Sequence, residues 1–146
     1  MTRLTFPIVP DGLLVSALIN LAAPALHSTR DQGNTTPIAI RARGMIDSGS
    51  TITAVGPRIL AALNAVPGLP AETTTAAGSV PVAFYEISFT IYNLSQPRGT
   101  DLSRHTWRVT NLVADLDDVD ILFGLDLLRQ IVLTVDGPAQ TFSLDF

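Results

Sequence analysis

The stretch Met45-Ile46-Asp47-Ser48-Gly49-Ser50-Thr51 decides the reading of this chain. An apolar run delivers a carboxylate, and a hydroxyl residue, a glycine and two more hydroxyl residues follow it. Upstream, the chain alternates: Ile38, Ile40, Ala42, Gly44 and Ile46 fall on one side, and Arg41 and Arg43 on the other. A period of two is the mark of a half-buried strand, here ending at Asp47. Gly49 lets the backbone pass close to a ligand or a second loop. By itself the Asp-Ser-Gly tripeptide reads more readily as a turn after a strand than as a site.

Reading outward on both sides gives a mainly β chain. Leu4–Val9 and Leu13–Leu21 read as strands separated by Pro10-Asp11-Gly12, a turn signature. The polar stretch His27–Pro37 reads as loop, within a long surface loop over 22–37. After the motif, Ile52–Val55 is a short strand, and Pro57 opens a helix running to Val66, with Ile59, Leu60 and Leu63 on its apolar side. Glu72–Thr75 and Val80–Tyr92 form a hairpin around Ala76-Ala77-Gly78-Ser79. His105–Ala114 and Ile121–Phe123 are strands, Asp126–Gln130 a short helix, and Ile131–Val135 with Thr141–Phe146 a last hairpin. The 146 residues suit one domain over 1–146, and ten prolines and ten glycines spread along the chain suit many short elements.

Composition excludes several classes of function. With 47% hydrophobic and 15% charged residues the chain is not disordered. Its nine basic residues are all arginine, scattered against thirteen acidic ones, which does not suit nucleic-acid binding. There is no cysteine, hence no thiolate ligand or nucleophile. His27 and His105 have no metal-ligand spacing, and the acidic group Asp115, Asp117, Asp118 and Asp120 lacks the ordered pattern of a calcium loop. No metal and no cofactor are expected. Gly12–Leu26 is apolar but too short for a membrane span, and Asn20 and Pro24 interrupt it. It reads as folded strand ahead of the apolar region of a secretory signal. Without a convincing signal, the expected location is cytoplasmic. Gly49-Ser50-Thr51 lacks the second glycine of a serine-hydrolase elbow.

A second string supports the first. Ile121-Leu122-Phe123-Gly124-Leu125-Asp126-Leu127-Leu128 places apolar residues before a glycine and an aspartate two positions after it. Together the two strings resemble the retropepsins and their single-domain cellular and bacterial relatives, a family of aspartic proteases. The resemblance runs from Leu4 to Phe146. It implies a small closed β-barrel of the acid-protease type with one or two short helices and a flap hairpin around 73–85. It implies that Asp47 is catalytic, that Ser48, Gly49 and Ser50 make the active-site loop, and that Ala77, Gly78 and Ser79 lie on the flap over a bound peptide. Ile121, Leu122, Phe123, Gly124 and Asp126 would support the loop from beneath. Thr141–Phe146 resembles the strand that this family places in a dimer-interface sheet, with a contribution from Leu4–Ile8. The flap holds one glycine and no tyrosine at its tip, and loop 22–37 is longer than in the compact viral enzymes.

Only Asp47 begins an Asp-Ser/Thr-Gly string; Asp11, Asp31, Asp101 and Asp136 are followed by other residues. The family's mechanism needs two carboxylates sharing one water and one proton. The resemblance therefore implies a homodimeric endopeptidase acting on a peptide or protein substrate, with one Asp47 from each chain. The alternative is a catalytically silent peptide-binding or assembly module on the same fold.

Overall fold

The computed structural model describes residues 1–114 and 116–146. Asp115, one of the four acidic residues singled out above, lies outside the described residues. Ten strands and three helices follow in the order β1 (Arg3–Pro7), β2 (Leu14–Leu21), α1 (Ala23–Asp31), β3 (Ile40–Ile46), β4 (Ala54–Val55), α2 (Pro57–Ala62), β5 (Pro70–Thr75), β6 (Gly78–Tyr92), β7 (Leu102–Asn111), β8 (Ile121–Phe123), α3 (Leu125–Leu128), β9 (Val132–Asp136) and β10 (Thr141–Asp145).

The expected closed barrel is present. The main sheet runs β2-β3-β8-β4-β7-β6-β5, and β2 also pairs with β6, so six of these strands close on one another and β5 stands outside the ring. Closure removes the open edges that would otherwise invite aggregation. The long strand β6 does two jobs. Gly78–Ala83 pairs with β5 to make a projecting hairpin, while the rest pairs with β7 and β2 in the barrel wall. The alternation holds within β3, where Ala42, Gly44 and Ile46 are buried and Arg41 and Arg43 exposed, but Ile38, expected on the buried side, is 87% exposed and precedes the strand, and Ile40 is half-buried. The apolar run Gly12–Leu26 supplies β2, whose Ala17 and Ile19 are fully buried. Among the described residues no helix is long and apolar enough to cross a membrane.

Two expectations change. The first half of segment 22–37 is helix α1 rather than loop. Pro24 sits in its first turn, where a missing N–H costs nothing. The helix buries no residue, so it carried no apolar stripe from which to read it. The described residues accordingly hold three helices rather than one or two. Strand β7 begins at Leu102, earlier than the polar residues around it suggest, because Leu102 is fully buried opposite Ile91.

The end of the chain forms the expected hairpin β9–β10, joined by β1. The sheet β1-β10-β9 lies apart from the barrel sheet, with β10 in the middle. Both edges of the terminal strand are therefore filled within one chain, and the outer strands of that sheet are β1 and β9. Phe6 stacks on Phe142 at 5.3 Å between ring centres, and Leu4 and Leu144 are fully buried, which joins this sheet to the barrel core.

Arg3 and Asp145 clamp β1 to β10 through two hydrogen bonds, of 2.6 and 3.0 Å. The hydrogen bonds from Arg3 hold the Asp145 carboxyl below its ordinary range. A carboxylate with a lowered folded-state pKa stabilises the fold above its unfolded value of about 3.9, and that contribution is lost as pH falls through the folded value. Asp145→Asn is expected to melt below wild type at neutral pH, and the gap should narrow on acidification below about pH 4. Thermal melts of both proteins across that range check it; a constant gap would reject the assignment.

Candidate active site

Asp47 lies just past the end of β3, where the strand's ladder ends and a tight loop begins. Its backbone N–H donates to the Phe123 carbonyl at 2.9 Å, so the parallel pair β3 and β8 fixes where the loop starts. The Gly49 N–H donates to Asp47 Oδ1 at 2.9 Å, and the Ser50 N–H to the Asp47 carbonyl at 3.2 Å. A Cβ on Gly49 would lie 3.1 Å from Asp47 Oδ1, which favours glycine at this position. Among the described residues nothing donates to Asp47 Oδ2. The side chain is half-buried, with one oxygen held and the other open.

The far side of the loop is held by the second string. Leu125 N–H donates to the Ser50 carbonyl at 2.8 Å and Asp126 N–H to the Thr51 carbonyl at 3.2 Å. Ser50 Oγ donates to the Ile52 carbonyl at 2.8 Å. Gly124 sits beneath: a Cβ there would lie 2.7 Å from the Ser50 carbonyl oxygen and 2.9 Å from the Ile52 carbonyl carbon. Both neighbours are backbone, so no side-chain shift could make room. Only glycine lets the two segments approach this closely.

Two residues that the sequence reading passed over complete the support. Thr53 is fully buried, and both its backbone N–H (3.0 Å) and its hydroxyl (2.8 Å) donate to Asp126 Oδ1. Its hydroxyl also accepts from the Gly124 N–H at 3.2 Å. Trp107 on β7 donates its indole N–H to Asp126 Oδ2 at 3.0 Å and sets its ring edge-on to Phe89. One carboxylate thus ties the end of the Asp47 loop to the barrel wall. A threonine between Ile52 and Ala54 in an apolar run was the available signal for Thr53, since a polar group buried there requires a partner. Trp107 is half-buried on β7, and its hydrogen bond had no local signal.

Asp126→Ala leaves the Thr53 hydroxyl and N–H and the Trp107 N–H without their acceptor. Buried unsatisfied donors make the expected loss about 2–3 kcal/mol, while Asp126→Asn, which keeps an acceptor oxygen, should lose less. Urea unfolding followed by the fluorescence of Trp107, the single tryptophan, measures both; equal losses would mean that the carboxylate oxygens are not the anchors.

Asp47, Gly49 and Ser50 line a groove of about 480 Å³ whose other wall is Ala71–Thr75 of β5 and Phe84, with Leu112, Val113 and Leu122 adding apolar surface. The remaining sequence-derived residues divide. Ile121, Leu122, Phe123, Gly124 and Asp126 lie beneath or beside the Asp47 loop. Ser48 is exposed, and its hydroxyl takes no part in the hydrogen bonds that hold the loop. Ala77, Gly78 and Ser79 lie at the end of the hairpin, beyond the groove lining. That tip is a two-residue turn over Ala76 and Ala77. Gly78 follows at φ +112°, a conformation that favours glycine, and the Ala77 N–H donates to Thr75 Oγ1. A groove of about 540 Å³ between α1, segment 64–69 and Phe84–Glu86 is somewhat larger, but it does not contain Asp47.

No protein-family model matches the chain, and no curated protein matches it in sequence. Solved structures do. A retropepsin-like aspartic protease from Rickettsia conorii superposes with a TM-score of 0.61 at 14% identity, over 99% of this chain and 90% of that one. The chain has the retropepsin-like fold. The simian foamy virus protease also matches, at TM-score 0.44 and 18% identity, over 80% of this chain and 91% of that one. In the retropepsin-like barrel of this chain, the Asp-Ser-Gly loop stands at the end of β3 and the Ile121–Asp126 string lies under it.

Proposed function

We propose that the chain is an aspartic endopeptidase whose working unit is a homodimer, with one Asp47 from each chain. The observation that carries this reading is the state of Asp47: a half-buried carboxylate at a groove wall, one oxygen held by the Gly49 N–H and the other with no donor among the described residues. Asp126 beneath it, by contrast, has both oxygens paired within the fold. The fold of the Rickettsia protease supports the same reading.

In this reading two Asp47 carboxylates meet across a two-fold axis and hold one proton between them, because two charges so close cannot both persist. The ionised carboxyl takes a proton from a bound water, and the resulting hydroxide adds to the scissile carbonyl. The protonated carboxyl donates to the carbonyl oxygen as charge develops there. The tetrahedral intermediate then collapses as the carboxyl that took the water's proton passes it to the amide nitrogen, which leaves as the amine, while the other carboxylate takes back a hydroxyl proton. The Gly49 N–H keeps each carboxylate oriented throughout. The β5–β6 hairpin acts as a flap, with Ala77, Gly78 and Ser79 closing over the peptide once a partner completes the cleft. Ile52, Leu112, Val113 and Leu122 favour apolar side chains on either side of the cut bond.

The test is cleavage of apolar-centred peptides at mildly acidic pH by wild type and Asp47→Asn. Cleavage by wild type alone supports the proposal. Equal rates for the two proteins sink it.

A further inference from the structure

We infer that Thr110 determines specificity in the Asp47 groove: its hydroxyl selects peptides that place a neutral hydrogen-bonding side chain (serine, threonine, asparagine or glutamine) against the groove floor. The inference rests on the reading of the groove as a peptide-binding cleft. It goes further than that reading, because the apolar lining residues ask only for apolar side chains.

The placement follows from strand alternation. Val109 on β7 is fully buried in the barrel, so Thr110 points to the opposite surface of the sheet. A threonine there is expected to be solvated, yet Thr110 is only 7% exposed. Its neighbours in register explain this. Thr110 pairs with Ala54 on β4 and with Phe84 on β6, and Ala54 pairs with Leu122 on β8. The four residues form a row across neighbouring strands, and all four line the groove that holds Asp47. Ala54, with a single methyl group, sits between Leu122 and Thr110, so the floor dips beside the threonine.

The two threonines of this wall differ in what their hydroxyls do. The Thr53 hydroxyl is spent within the fold, donating to Asp126 Oδ1 at 2.8 Å. The Thr110 backbone N–H donates to the Thr53 carbonyl at 3.1 Å, which fixes the residue in place. Its hydroxyl makes no hydrogen bond among the described residues. No side-chain polar atom among them is both sealed from solvent and unpaired, so this hydroxyl keeps a little open surface, and the surface that Thr110 meets is the groove. A polar group so nearly buried requires a partner, and a bound ligand is in position to supply it.

The opposite wall repeats the pattern. Strand β5 leaves Ala71, Thr73 and Thr75 half-buried and Glu72 and Thr74 exposed. The Thr75 hydroxyl is taken by the hairpin turn, donating to the Gly78 carbonyl at 2.9 Å and accepting from the Ala77 N–H at 3.2 Å. The Thr73 hydroxyl, like that of Thr110, has no hydrogen bond among the described residues. A hydroxyl both donates and accepts, so the two suit a neutral side chain that does the same. Charged side chains fit less well. Asp47 and Glu72, the carboxylates that line the groove, repel an acidic one. For a basic one there is no counter-charge beside Thr110, because Glu72 is exposed on the hairpin and accepts from Ser79 Oγ at 3.0 Å.

Peptide pairs that differ only by threonine against valine test this, since the two side chains share a shape and differ by the hydroxyl. The pair is placed in turn at each of the three positions on either side of an apolar cut site. Wild type is expected to favour the threonine peptide at one position by about tenfold in kcat/KM, the worth of one hydrogen bond. Thr110→Val should bring that ratio to about one, and Thr110→Ser, which keeps a hydroxyl, should retain it. Thr110→Val should also melt no lower than wild type, because the fold does not use the hydroxyl. A wild type without preference at every position, a preference that survives in Thr110→Val, or a clear drop in the melting temperature of Thr110→Val overturns the assignment. The same peptides, labelled and titrated onto Asp47→Asn and onto Asp47→Asn with Thr110→Val, give dissociation constants with no need for turnover; failure of every peptide to bind overturns it as well. A binding preference that depends on Thr110, with no cleavage by wild type, would keep the subsite and reject the peptidase. Cleavage at equal rates for both peptides at every position would do the reverse.

Discussion

Asp47→Asn should abolish peptide cleavage while leaving the fold intact. Asparagine is nearly isosteric, and its Oδ1 still accepts from the Gly49 N–H that holds Asp47 at 2.9 Å. The loop's other ties, from Asp47 N–H to Phe123 and from Leu125 N–H to Ser50, are backbone and do not sense the change. What is lost is the group that takes and returns a proton. Positioned acid–base groups contribute about 10²–10⁴ in rate, so kcat should fall by about that factor or more, because both copies lose the group at once. The melting temperature should stay within a few degrees of wild type. A mixture tells more than either pure protein. When equal amounts of wild type and Asp47→Asn exchange subunits freely, about one dimer in four carries two aspartates, and activity per wild-type chain drops to about half. Activity that stays constant per wild-type chain would mean that each chain works alone. The silent-module alternative makes its own statement: both proteins would bind peptide equally and neither would cut it.

How legible the molecule was in its sequence depended on whether each contact repeats locally. The barrel strands announced themselves because burial on one face forces alternation, as in Arg41 and Arg43 against Ala42, Gly44 and Ile46. Helix α2 was readable from Pro57 at its start and Ile59, Leu60 and Leu63 on one side, although it stops at Ala62, with Leu63 as its cap, rather than reaching Val66. Helix α1 was not, since a helix that buries nothing needs no apolar stripe. The order β1-β10-β9 was out of reach as well, because strand alternation states which face is buried but not which neighbour lies on which edge. At the site, Asp47 and the Gly124 string were legible as strings. The Asp126 network was not, because its members Thr53, Trp107 and Asp126 come from three separate parts of the chain and meet only after the barrel closes.

Phe123→Ala should be the most damaging single core substitution near the site. Phe123 is fully buried. Its ring tilts against Phe89 at 5.1 Å between centres, and Phe89 in turn carries Trp107 edge-on at 5.8 Å. The ring also lies on Gly44, where a Cβ would come within 2.7 Å of it. Alanine removes most of that volume from between two barrel strands whose backbones are tied by the β3–β8 ladder. The walls can close in only partly, so the expected cost is about 3–5 kcal/mol, or roughly 10–15 °C in melting temperature. Phe123→Leu, which keeps most of the volume, should cost clearly less. The effect should also reach the candidate site, because the Phe123 carbonyl accepts from the Asp47 N–H and marks where the Asp47 loop begins. In the proposed dimer any shift of β8 would move Asp47 relative to the partner's Asp47, and a displacement of about 1 Å can cost about a hundredfold in rate. Activity measured well below the variant's own melting point should therefore fall further than its folded fraction. Urea unfolding, followed by the Trp107 signal that Phe89 couples to this same ring, gives the stability. A loss under about 1 kcal/mol would mean that the pocket collapses freely and that Phe89 and Gly44 do not hold it open.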